Sequence, residues 1–116
     1  MQSNQAPSSV FARRLGQARL SSGLTQEQLG IHAGINEFSA SARINQYERG
    51  KHMPPIIVRQ RLARALHVQT SFLYEEDDLL AALLAVAARL TRGKKKIILA
   101  NAEALTQPSS IIRKAK

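Results

Sequence analysis

The 116 residues carry a formal charge of +9, 44% apolar side chains and no cysteine, which fits one ordinary domain and excludes disulfides and thiolate zinc sites. Only five aromatics accompany many Leu, Ile and Ala, so helix is favoured over sheet. The longest apolar run, Leu79 to Ala88, is about half of what a membrane span needs. Residues 1–8 read as a flexible tail, and MQSNQAPSS has no basic segment leading into an apolar core, so no signal peptide is expected and a cytoplasmic location is.

Seven helices and no strand are predicted along the chain. Ser9 caps the first, which runs to about Ser22 with Phe11, Leu15, Ala18 and Leu20 inward and Gly23 closing it. Thr25 and Gln28 form a T-x-x-Q capping box for a second helix over 26–33, and Gly34 stands where a left-handed residue is needed. A third helix over 40–49 places Ile44 and Tyr47 on one face and Ala42, Gln46 and Arg49 on the other, with Gly50 ending it. Pro54 and Pro55 open a fourth helix that reaches Leu66, and a short fifth covers 71–74. The sixth, 76–90, has a broad stripe of Leu79, Leu80, Leu83, Leu84, Ala87 and Leu90. Thr91 caps the seventh, 92–105, before Pro108 and a basic tail over 108–116. Two short helices around a tight turn, the second small-residue-rich and basic, make a helix-turn-helix, and duplex DNA is the expected partner.

Charge is distributed in blocks. Residues 9–68 sum to +6, residues 69–90 to −3 and residues 91–116 to +6. Basic blocks of this kind suit polyanions, because each neutralised phosphate releases counterions. Charge alone fits RNA or anionic lipid as well. The run Glu75-Glu76-Asp77-Asp78 stands at a helix start, where the macrodipole favours carboxylates, so no metal and no cofactor is expected. His32, His52 and His67 are scattered, and neither a catalytic triad nor a glycine-rich phosphate loop is present. The chain does not read as an enzyme. Arg13, Arg14, Arg61 and Arg64 read as ordinary exposed charges, and Lys94, Lys95 and Lys96 as a solvated face.

LTQEQL, an I-x-x-YERGK segment, PP…LARAL-V and FLYEEDD together resemble helix-turn-helix regulators of the phage-repressor (Cro/repressor, Xre) type over about Phe11 to Asp78. The resemblance implies an all-α fold: a five-helix DNA-binding domain over 9–76, followed by a two-helix extension over 77–107. It implies base-edge contacts from Ser41, Ala42, Arg43, Asn45 and Gln46, and phosphate contacts from Gln26, Arg49 and Lys51. It also implies a structural ion pair between Arg19 and Glu48 that orients the third helix. Two positions depart from the family pattern. Most members have a connection about one helical turn shorter between the equivalents of Gly34 and Ile44. Here the extra Glu37-Phe38-Ser39-Ala40 either lengthens the third helix or loops out before it, and Phe38 either meets a thymine methyl or folds onto the core. A subset of the family carries a similar insert. The second departure is Arg59, which replaces a core leucine, by local rotation of the fourth helix or by snorkelling.

The expected function is a transcriptional regulator, a repressor acting as a homodimer on an inverted-repeat operator. The leucine stripe of residues 79–84 is too wide for a lone exposed helix, so it must pack on a neighbouring helix or on a second copy. Dimerisation is the expectation, since one small helix-turn-helix makes few contacts. The alternative is an antitoxin-type regulator whose C-terminal helices hold a partner protein.

Overall fold

The computed structural model describes residues 9–106; the tails expected at 1–8 and 108–116 lie outside the described residues. Six α-helices and one 3₁₀ turn follow in order: α1 (Val10–Ser22), α2 (Gln26–His32), α3 (Glu37–Glu48), α4 (Ile56–Ala65), the 3₁₀ turn Thr70–Tyr74, α5 (Asp78–Ala87) and α6 (Arg92–Leu105). The described residues contain no strand, and the all-α expectation holds.

Caps written in the sequence fix most helix starts. Ser9, Thr25 and Thr91 each accept a backbone N–H of the first turn, and Gln28 returns the bond to the Thr25 N–H, completing the capping box. One device ends the first four helices. The first residue past α1 and the second past α2, α3 and α4 is left-handed, and the next N–H bonds back to a carbonyl five positions earlier: Leu24 to Arg19, Ile35 to Gly30, Lys51 to Gln46 and Val68 to Ala63. Glycine holds that place after α1, α2 and α3, whereas after α4 it is His67 at φ 59°.

The core gathers α1 to α4 and the 3₁₀ turn around Leu15, Leu29, Ile44, Leu62, Leu66 and Leu73, all essentially without solvent contact. Tyr47, Phe11 and Phe72 close its edges. Ile44 and Tyr47 are core residues, as the wheel of the third helix predicts. Leu20 is not: it lies off the Phe11–Leu15–Ala18 face and is 69% exposed. Arg59 is half-buried, donating from Nε to the Pro54 carbonyl at 2.6 Å and from Nη1 to the Tyr74 hydroxyl at 2.9 Å. It is tied down along the edge and does not replace a leucine in the core.

Arg14 departs furthest from expectation. It is buried, at 2% exposure, where an ordinary exposed charge is predicted. Its position three after Phe11 and four before Ala18 puts it on the inward face of α1. The chain leaving the 3₁₀ turn supplies its partners: Nε bonds the Glu75 carbonyl at 2.8 Å, and Nη2 the Glu76 carbonyl at 3.2 Å and Asp78 Oδ1 at 2.9 Å. Gln17 takes Nη1, and the guanidinium lies over the Phe72 ring. The acidic run thus has structural duties, since Asp77 also caps α5 and Glu75 accepts the Asp77 N–H.

Most of the leucine stripe of α5 is left open by the described residues. The side turned to the domain carries Ala81, which is buried, and Ala85, which is partly covered, and α5 rests on the 3₁₀ turn. Leu79 (82% exposed), Leu80, Leu83 and Val86 face outward. The helix is also shorter than expected, ending at Ala87, before α6 begins at Arg92. No residue of α6 is buried, so α6 does not cover those leucines as a folded-back hairpin would. No described helix is long and apolar enough to cross a membrane.

Candidate nucleic-acid interface

Helix α3 starts at Glu37, three residues earlier than its wheel alone predicts, so the extra turn lengthens the helix and does not loop out. Asn36 makes the early start possible: its Oδ1 accepts the Phe38 N–H at 2.8 Å, and its carbonyl accepts the Ser39 N–H. Ala40, fully buried, locks the added turn against α2. Contact there is so close that a Cβ on Gly30 would lie 2.6 Å from the Ala40 Cβ and 3.0 Å from its Cα. Glycine at 30 is what lets α2 and α3 meet.

With Ala40, Ile44 and Tyr47 inward, the helical period leaves Phe38, Ala42, Asn45 and Arg49 on the opposite side, flanked by Ser41 and Gln46. Ser41, Ala42, Arg43, Asn45 and Gln46 are all exposed, and Arg49 and Lys51 continue the surface past the helix end. Neither Arg43, Arg49 nor Lys51 is ion-paired with another described residue, so their charge is open to solvent. The face is therefore convex, basic and studded with short polar side chains. Such a helix fits the major groove and can donate and accept at base edges.

One carboxylate sets the tilt of this helix. Glu48, at the end of α3, accepts from Arg19 of α1 through both oxygens, Nε to Oε2 at 2.5 Å and Nη2 to Oε1 at 3.2 Å. Arg19 also holds the Leu24 carbonyl through Nη1, fixing the α1–α2 connection. Both side chains are largely covered, at 14% and 11% exposure, so salt screens their attraction less than it would at the open surface. Gln26, half-buried at the first turn of α2, donates from Nε2 to Glu48 Oε1 at 3.1 Å. That bond uses one of its two amide protons. Gln26 thus has a structural tie to Glu48 beside its expected outward role, and nothing local in the chain signals a link between residues that far apart.

The added aromatic is the other surprise of this surface. Phe38 is 90% exposed and does not fold onto the core. At the distal edge of the domain, Asp78 accepts from Arg14 and Arg13, and these hydrogen bonds, Arg14's foremost, hold its carboxyl below the usual carboxylate range.

The family model for a helix-turn-helix domain matches residues 10–71, more than half of the chain. An uncharacterized HTH-type transcriptional regulator of Methanothermobacter thermautotrophicus is 36% identical over 58 residues, spanning 47% of this chain and 78% of that protein. The crystal structure of the transcriptional regulator BswR is 42% identical and superposes with a TM-score of 0.75, covering 81% of this chain and 93% of that one. An exposed basic reading helix, capped and tilted by its neighbours, agrees with these likenesses: the chain belongs to the helix-turn-helix family of DNA-binding transcriptional regulators, of the phage-repressor (Xre) type.

Proposed function

We propose that the protein is a cytoplasmic repressor that binds an inverted-repeat operator as a two-fold dimer. In this reading α3 lies in the major groove, with Ser41, Ala42, Arg43, Asn45 and Gln46 at base edges. Arg49 and Lys51 meet phosphates beside the groove. Gln26 meets a phosphate through its second amide proton while the first stays on Glu48. The observation that carries the reading is the exposed α3 face opposite Ala40, Ile44 and Tyr47, where Ala42 and Asn45 stand flanked by Ser41 and Gln46, with Arg43 exposed at the side of the helix, three residues after Ala40.

The outward face of Leu79, Leu80, Leu83 and Val86 supports the dimer. Isologous pairing of that face would cover it and relate two reading helices by the two-fold axis that a palindrome requires. The same exposed face also suits a partner protein, which keeps an antitoxin-type regulator as the second reading.

Selection of bound duplexes from a random pool at near-physiological salt tests the proposal. An enriched inverted repeat, followed by silencing of a reporter that carries it near the promoter, is the expected result. An enriched single site would remove the two-fold dimer, and binding without enrichment that vanishes as salt rises would remove sequence reading altogether.

A further inference from the structure

We infer that Phe38 is a specificity-determining residue that selects thymine by contact with its C5-methyl group, an inference that rests on α3 being the reading helix. Phe38 belongs to the outward line of α3, with Ala42 four residues on and Asn45 seven, directly opposite the buried Ala40 and Ile44. Its ring is 90% exposed although its backbone is held on both sides. Asn36 takes its N–H at 2.8 Å, and two residues on, Ala40 is wedged against Gly30. A rigid first turn thus holds out an aromatic ring that no described residue covers.

The surroundings restrict what that ring can meet. Its neighbours on the face, Ser41, Ala42, Asn45, Gln46 and Arg49, are small, polar or basic, so the surface as a whole suits a polyanion and not an apolar protein patch. The apolar group that base edges present in the major groove is the thymine methyl. A phenyl ring has far more apolar area than the alanine methyl at 42, and burying it against that methyl removes both from water. Phe38 lies about 6 Å from Ala42 along the helix axis. The thymine is therefore expected roughly two base-pair steps from the pair that Ala42 faces. The added turn extends the reading surface beyond the segment on which the other contacts lie.

Deoxyuridine lacks only the methyl, which makes it the discriminating probe. Wild type and Phe38→Ala are titrated against the selected duplex and against copies with thymines replaced one at a time by deoxyuridine. At one position per half-site the replacement weakens wild type about fourfold, the fold-change of burying one methyl equivalent, and leaves Phe38→Ala within about twofold of its own unmodified value. Motif selection with Phe38→Ala then loses thymine at that position only, while its melting temperature stays near wild type because the ring packs on nothing. Equal sensitivity of both proteins at every thymine, or an unchanged selected motif, overturns the inference while leaving DNA reading intact. A wild-type protein that selects no motif overturns the reading beneath it, a failure visible before any variant is compared.

Discussion

Asp78 shows how an exposed residue can matter to a buried one. Its carboxylate is mostly in water, yet it is the counter-charge for the nearly inaccessible Arg14 guanidinium. Hydrogen bonds from Arg14 and then Arg13 place its folded pKa below the unfolded one. The unfolded chain therefore binds this proton more readily. The stability it adds is complete above the ordinary carboxylate value, near pH 4, and is lost as pH falls through the folded pKa. Asp78→Asn is expected to lower stability at neutral pH and flatten the acid limb, read by urea melts at fixed protein concentration; parallel curves for variant and wild type would exclude the linkage. In the proposed DNA complex, single side chains divide into two roles. Gln46→Ala is expected to relax preference at one base pair by about 1–3 kcal/mol, whereas Lys51→Ala weakens all sequences and lowers the salt slope by about one unit. Binding titrations on matched and mismatched duplexes at several salt concentrations distinguish them, and identical profiles for the two variants would refute the division. Arg14 was half legible: its spacing from Phe11 and Ala18 put it on the inward face of α1. Its partners, two backbone carbonyls beyond the 3₁₀ turn, leave no trace in residue type.

The elements were legible where their ends are chemical. Ser9, Thr25 and Thr91 are caps whose side chains name their own role, and the helices after them start where predicted. The start of α3 was hidden because Asn36 also suits a turn, and what decides for helix is Ala40 pressed against Gly30, a contact between two elements. The width of the α5 stripe calls for a cover from a neighbouring helix or a second copy; in the fold alanine faces the domain and most of the bulky side chains stand outside. His67 marks the weak end among the four that share a left-handed closure. Its backbone is held at φ 59° by bonds from His67 N–H to the Arg64 carbonyl and from Val68 N–H to the Ala63 carbonyl. A side chain with a Cβ is strained there, so His67→Gly is expected to stabilise the fold by about 0.5–1 kcal/mol. A lowered or unchanged urea midpoint would show that His67 earns its place by contacts.

For the molecule as a whole, the DNA-binding domain is built and the extension is unfinished. The core is closed by α1 to α4, the 3₁₀ turn and Ala81 of α5, while α5 offers Leu79, Leu80, Leu83 and Val86 to solvent and α6 buries nothing. Leu83, 51% exposed, is the natural probe of the proposed dimer. Leu83→Glu should fold, run at the monomer mass in light scattering, and bind the full inverted repeat more weakly than wild type while its half-site affinity stays the same. A dimeric Leu83→Glu protein would move the interface elsewhere. The sequence made the need for a cover plain and was silent on its source, since a stripe of leucines looks the same whether its neighbour is the same chain or another. That open row has a consequence for dosage. When two copies must meet before either holds its site firmly, operator occupancy rises with the square of protein concentration as long as most molecules are single. Halving expression would then cut occupancy to about a quarter in that regime, so in the proposed dimer the row of leucines would make the cell's count of this protein part of its regulatory input.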